Sequence, residues 1–533
     1  MIKDKEKEFQ DALSTVVSHI AARQSNLATL PTLPSPSSIT STLLSLPSSL
    51  PQQGLGTVEA INYLISSLLP GILQAQNGPR YFGFVIGGVT PAAQLADMLA
   101  TCYDENVQVA LGEETASTAI EQRALEMVLD LLEIDRSHFM GRTITTGATA
   151  SNMLGLACAR DHLYANSPHL PPGYPYAQDG PPSNPSLPSP PIIILGIHPH
   201  FSIAKAAAFV GLGSGSSVIH TMPTDPSDAL TFDLKKLEER LQLEEKIGRG
   251  VIVVFDIGEV NTGGFGKSLG QVARLCKSYH AWLHVDAAFG GFAGLMPELH
   301  EFTKDMKQAD SLTLDGHKWL QVPYDCGLFY TRHISSLKNV FQPLSGLAPA
   351  YLSPSVCPSH SGPSRIDMPG TVHSQDITSP LFVGIENSRR FRALPLVASL
   401  LSLGKEGYRE IISRNVRFAR RIAEYISTSP YYELLNSPAP SAHPVNQAPI
   451  IPSNVVLFQS SSKSPFPPND ISSSTRLVQK INESRKMYVS KTQWGGKGAV
   501  RLAVCNWQTG LEGEHDWDIV KNVLEAVGKG ETT

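Results

Sequence analysis

The sequence predicts an α/β protein built on a mostly parallel central sheet with helices on both faces. Short apolar runs of strand length recur at 192–195, 251–255, 282–285, 311–314 and 328–331. Helical stretches, for instance 234–246 and 268–280, separate several of them. Such alternation calls for crossover connections, hence parallel pairing and two covered faces. In such sheets ligands sit at the carboxyl ends of the strands.

The elements follow in chain order. Residues 5–23 mix charged and apolar positions and read as a helix. Residues 30–54, LPTLPSPSSITSTLLSLPSSLPQQG, are rich in Pro and Ser and predict an extended connector. Over 115–133, Ile120, Ala124, Met127, Val128, Leu131 and Leu132 share one helical face. A further helix over 150–160 follows TTGATA. Residues 167–191, SPHLPPGYPYAQDGPPSNPSLPSPP, read as a surface insertion too polar and proline-rich to build a core. Similar clusters at 352–364, 437–453 and 460–474 read as loops. From about 385 the pattern changes to helices with a few strands, which predicts a smaller C-terminal α+β domain. The implied division is 1–56, 57–385 and 386–533.

At 533 residues the chain exceeds one ordinary core. With 41% hydrophobic and 17% charged residues it has the composition of a soluble globular protein. A net charge of −5 gives no support for a nucleic-acid or anionic-membrane partner. The six cysteines are scattered without a CxxC pair, so neither a metal site nor a disulfide framework is expected. The N-terminus MIKDKEKEFQDAL lacks the apolar core of a secretory signal. No run approaches the ~18 apolar residues of a membrane span. A cytoplasmic protein is expected.

Four clusters end or follow the expected strands. TTGATASN, 145–152, places small residues before a helix, where backbone N–H groups and the helix dipole favour an anion. HPHFSIAKAA, 198–207, opens a helix with His200, a ring able to stack on a flat ligand. HVDAAFGG, 284–291, ends an apolar strand on Asp286, followed by two alanines that leave room for a ring. SLTLDGHKWLQVPYDCG, 311–327, sets Lys318 between His317 and Trp319. Each has an ordinary explanation: a capped turn, a structural histidine, an N-cap aspartate, a solvated lysine. Lys318 follows Asp286 by 32 residues, one strand–helix–strand excursion, so a sheet can bring both to neighbouring strand ends. Pyridoxal phosphate needs all four at once: a lysine for its Schiff base, an acid at its ring nitrogen, a phosphate cradle and a flat neighbour.

HVDAAFGG followed by ADSLTLDGHKWLQVPYDCG closely resembles the group II pyridoxal-phosphate-dependent amino-acid decarboxylases. The stretches at 79–100, 145–160, 198–213 and 389–400 support the resemblance, which covers roughly 57–520. It implies a fold-type I enzyme, pyridoxal 5′-phosphate as cofactor, and α-decarboxylation of an L-amino acid, with aromatic substrates included. Carried over by position, Lys318 holds the cofactor covalently and His317 contacts the phosphate side. Asp286 pairs with the ring nitrogen, Ala288 packs on the ring, and His200 stacks on its other face. Ala148 and Thr149 contact the phosphate. Residues 81–84 help form the substrate entrance. The resemblance also implies a homodimer whose sites draw on both chains.

The sequence departs from the family pattern in three places. Asp315-Gly316 stands where Asn-Pro is usual, and Gly258-Glu259-Val260 where Gly-Thr-Thr is usual, with Asn261 or Thr262 as the replacement for the lost hydroxyl. The stretch 352–380, which corresponds to a loop that usually supplies a catalytic tyrosine, has none, although it holds His360 and His373. Oxidative deamination to an aldehyde, transamination and condensation therefore stand as alternatives on the same scaffold. Two other readings compete. NTGGFGKS, 261–268, nearly matches a nucleotide-binding loop but has Asn261 where the first glycine belongs. A non-catalytic descendant of the fold would have no use for the intact set of Lys318, His317, Asp286 and His200.

Overall fold

The computed structural model describes residues 2–111, 114–342, 377–437, 449–468 and 471–532. Contacts group the chain into two compact units. One comprises Met1–Gly88, Arg414–Ser437 and Asn454–Thr533; the other comprises Val89–Ser413 and Pro438–Ser453. This grouping puts the first 88 residues with the C-terminal segments, whereas the division at 56 and 385 rests on composition.

The second unit holds β1 (Gly141–Thr145), β2 (Ile192–Gly196), β3 (Ile219–Thr221), β4 (Thr224–Asp225), β5 (Asp228–Phe232), β6 (Gly250–Asp256), β7 (Trp282–Asp286), β8 (Ser311–Asp315) and β9 (Gly327–Thr331). Seven of these make one sheet in the order β1-β9-β8-β7-β6-β2-β3. Pairing from β3 to β8 is parallel; β9 alone runs against its neighbours β1 and β8. The five expected strands are β2 and β6 to β9. Every residue of β2, β7, β8 and β9 is buried, as a sheet covered on both faces requires.

The helix Ala148–Ala165 lies across this sheet and joins its core with Leu154, Leu156 and Cys158 against Ile194, Val254 and Trp282. It comes so close that a Cβ on Gly155 would sit 2.5 Å from the His284 ring, which only a glycine avoids. The helices expected over 115–133 and 268–280 are Ser117–Leu131 and Leu269–Ser278.

Two expectations need correction. The 30–54 segment is not wholly extended, because Ser35 caps a helix, Pro36–Ser45, by accepting the Ser38 N–H at 3.0 Å. Proline at the first helical position fits there, since its missing N–H would have had no partner. The 167–191 insertion is anchored rather than merely superficial: the Tyr176 ring stacks on Tyr164 at 4.8 Å and carries the Arg160 guanidinium 4.0 Å above its centre.

The first unit contains an antiparallel sheet of β10 (Tyr432–Leu434), β11 (Val455–Ser460), β12 (Ser490–Trp494) and β13 (Lys497–Ala503), in the order β10-β11-β13-β12. Tyr81 stacks on Tyr488 with ring centres 4.5 Å apart, and Arg80 pairs with Asp516 at 2.7 Å. No helix among the described residues is long and apolar enough to cross a membrane.

Candidate active site

The parallel strands of the large sheet end together, and the singled-out residues gather at those ends. β6 and β7 are in register at Asp256 and Asp286, and Asp286 pairs with Thr313 of β8 two residues before Asp315. Lys318 follows in the turn after β8. Its Nζ lies 3.4 Å from Asp315 Oδ2, and its side chain is 18% exposed, half-buried but reachable. The Gly316 N–H donates to the Cys326 carbonyl at 2.9 Å, a bond that a proline there would forfeit.

Asp286 is buried and accepts on both oxygens: from Asn152 Nδ2 at 2.8 Å and from the Ala288 N–H at 3.2 Å. Each oxygen of Asp286 thus meets an N–H donor. Its neighbour Asp256 lies in register with it on β6. Desolvation, then the Asp286 charge, push the Asp256 carboxyl well above the usual carboxylate range, so it retains a proton. Asp256 also accepts the backbone N–H of His200.

Behind Asp286 runs a relay that sequence reading did not foresee. Trp282 Nε1 donates to Ser311 Oγ at 2.9 Å, and Ser311 Oγ meets His284 Nδ1 at 2.8 Å. His284 Nε2 meets Asn152 Oδ1 at 3.0 Å. Because an amide oxygen only accepts, His284 carries its proton on Nε2 and its Nδ1 accepts from Ser311. The ring is neutral, since burial pulls it down to about 4. Asn152 Nδ2 then donates both to Asp286 and to Ser202 Oγ, the latter at 2.9 Å. Ser202 Oγ lies 2.8 Å from His200 Nδ1, which also accepts the Ser202 N–H at 3.2 Å. One amide on the helix Ala148–Ala165 thus orients both Asp286 and His200. Asn152 and His284 lie inside quoted motifs, but nothing in one sequence pairs them.

Replacing Asn152 by alanine is expected to strand the Asp286, Ser202 and His284 groups. A buried unsatisfied group costs about 1–3 kcal/mol, so a loss of about 2–4 kcal/mol of unfolding free energy is expected in denaturant titration. An unchanged midpoint would mean the relay carries no stability.

The remaining expected residues fall on the same face. Ala148 opens its helix after Gly147, and its N–H donates to Asp315 Oδ1 at 3.2 Å. Thr149 is half-buried in the first turn. Ala288 is buried, and its carbonyl accepts the Asp315 N–H at 3.1 Å. His317 packs against Tyr324 with ring centres 4.4 Å apart. Its Nδ1 lies 3.2 Å from Asp315 Oδ1 but out of hydrogen-bond alignment, leaving a buried nitrogen unsatisfied. Burial, then the Lys318 charge, hold His317 down at about 4, so it is neutral.

These groups fit pyridoxal phosphate. The orphaned His317 nitrogen and the helix end at Ala148 suit its phosphate, and the Asp286 carboxylate suits a protonated ring nitrogen. Among the described residues no cluster of acids, histidines and cysteines is arranged to hold a metal.

Glu259 does not open space for a missing hydroxyl. Its Oε1 accepts the Asn261 N–H at 2.9 Å and its Oε2 accepts the Thr262 hydroxyl at 2.8 Å, closing a turn on itself. That turn also removes the nucleotide-loop reading, because its geometry is spent on Glu259, and Lys267 pairs with Asp228 at 3.4 Å. Tyr81 and Phe82 are buried within the first unit. His360 and His373 lie outside the described residues.

Comparison with known proteins bears on the same site. The model of the pyridoxal-dependent decarboxylase conserved domain matches residues 41–442. The chain is 24% identical to L-2,4-diaminobutyrate decarboxylase of Acinetobacter baumannii, over 73% of this chain and 70% of that one. It is 25% identical to tyrosine decarboxylase 2 of Arabidopsis thaliana, over 86% and 75% of the two chains. The crystal structure of Rhodiola rosea 4-hydroxyphenylacetaldehyde synthase superposes with a TM-score of 0.75 at 19% identity, covering 99% of both chains. With a family match spanning most of its length, the chain belongs to the pyridoxal-dependent decarboxylases, enzymes that use pyridoxal phosphate to remove carbon dioxide from amino acids.

Proposed function

We propose that the protein decarboxylates an aromatic L-amino acid at Cα, with Lys318, Asp286 and His200 as the working residues. The observation that carries the assignment is the meeting of Lys318 and an acceptor-only Asp286 at the ends of adjacent strands β8 and β7. The bound cofactor supplies an aldehyde for the substrate amine and a ring that takes up electrons as the bond to the carboxylate breaks. Asp286 holds the proton on the ring nitrogen. Asn152 and the Ala288 amide keep Asp286 aimed. His200, fixed through Nδ1 by Ser202 and through its backbone by Asp256, presents an exposed ring. Lys318 Nζ would anchor the cofactor covalently, His317 with Ala148 and Thr149 would hold its phosphate, and Ala288 would pack on its ring.

The likeness to a tyrosine decarboxylase supports the aromatic substrate. The family resemblance supports a cytoplasmic homodimer to which residues 81–84 and 352–380 contribute. An aldehyde-forming outcome is the second reading, favoured by the absence of tyrosine from 352–380. The fold is shared with an aldehyde synthase and does not choose between them.

The test is product stoichiometry over a panel of aromatic, acidic and basic amino acids. One amine per carbon dioxide from an aromatic substrate, without peroxide, is expected. Ammonia and peroxide in step with carbon dioxide would establish the second reading. Turnover confined to diaminobutyrate would remove the aromatic assignment.

A further inference from the structure

Asp315 occupies a position where a carboxylate is awkward. It is 3% exposed, and its Oδ1 accepts the N–H of Ala148, the first residue of the helix Ala148–Ala165. Its other oxygen is 3.4 Å from Lys318 Nζ. A helix N-terminus with available N–H groups attracts an anion, and here Asp315 is that anion. A phosphate brought to the same end meets a like charge out of water. One of the two must then give up its charge or move. Movement is restrained. The Asp315 N–H is bonded to the Ala288 carbonyl at 3.1 Å and the Gly316 N–H to the Cys326 carbonyl at 2.9 Å, while β8 is flanked by β7 and β9.

We propose that Asp315 is a proton-dependent latch on the cofactor's phosphate subsite: ionised, it closes the Ala148 helix end and pairs with Lys318; protonated, it admits a phosphate ester. This rests on the assignment of the phosphate to Ala148. Protonation lies within reach, because burial already raises the Asp315 carboxyl to about 6 against the lowering effect of Lys318. The groups facing it are Lys318 and His317 from its own turn, Asp286 from β7, Cys326 just before β9 and the Ala148 amide. His317, held at about 4, and Cys326, pushed up by burial, keep one protonation state between roughly pH 6.5 and 8.5.

The sign follows from linkage. A nearby phosphate raises the Asp315 value further, so bound protein holds a proton that free protein releases above about pH 6. Affinity is therefore full below that pH and falls as pH rises, up to tenfold per unit while the bound form stays protonated.

The experiment titrates the full chain, freed of cofactor, with pyridoxine 5′-phosphate, which carries an alcohol in place of the aldehyde and cannot link to Lys318. Calorimetry is run at roughly pH 6.5 and 8.5 on wild type and Asp315→Asn. Wild-type affinity is expected to fall on the order of 10- to 100-fold more than that of the variant. The ligand's own phosphate titration is the same in both. If the variant does not fold, wild type alone serves. In two buffers of different ionisation enthalpy, near pH 7.5, it should take up about one proton beyond the ligand's own change. Parallel pH dependence, or no excess proton, would overturn the latch and leave the phosphate assignment standing. No binding to either protein, with pyridoxal phosphate still reducible onto Lys318, would overturn both.

Discussion

Lys318→Ala is expected to lose decarboxylation by on the order of 10³-fold or more, the scale seen when a covalent nucleophile is removed. The reason is specific to its setting. Lys318 is half-buried after β8, 3.4 Å from Asp315, with His317 beside it. The nearby Arg392 grips both oxygens of Asp325 at 2.9 and 3.2 Å. The visible absorbance of the purified protein should disappear in the variant, and steady-state carbon dioxide release should fall with it. Arginine in place of lysine would keep the charge near Asp315 without the chemistry, so Lys318→Arg should be equally inactive while matching wild type in stability.

The second large effect is expected at Asp286. Asp286→Asn removes the charge that keeps the ring nitrogen protonated. It also forces a mismatch, because both Asp286 oxygens now accept N–H donors, from Asn152 and from Ala288. Whichever way the new amide turns, its NH₂ faces one of them. A fall in kcat on the order of 10² to 10³-fold is expected, comparable to loss of a preorganised electrostatic contact. Cofactor should remain bound, since Lys318 and the phosphate groups are intact. Near-normal kcat with cofactor in place would show that another acid, such as its register neighbour Asp256, performs this task.

What the sequence made legible is local. The strands at 192–195, 251–255, 282–285, 311–314 and 328–331 declared themselves because fully buried strands are continuous apolar runs. Lys318 and Asp286 were visible because a charge at the end of such a run needs a reason. What stayed hidden is pairwise and long-range. Asn152 meets Asp286 across 134 positions and His284 across 132, and polar side chains of this kind look like ordinary helix and strand residues until the fold joins them. Asp256 follows the expected strand at 251–255 without any mark of its own, and only its register with Asp286 shows why it keeps its proton. Glu259 looked like a lost hydroxyl; its two oxygens instead build a turn. The helix Pro36–Ser45 was masked by proline, which ends helices in their interior but starts them at the first position.

The most direct test of the account is to find where the cofactor is attached. The native protein, supplied with pyridoxal phosphate, is reduced with borohydride, digested, and the modified peptide sequenced by mass spectrometry. The account predicts a single pyridoxyl-phosphate label, on Lys318 within SLTLDGHKWL. A label on another lysine, or none on protein that still releases carbon dioxide, would contradict it.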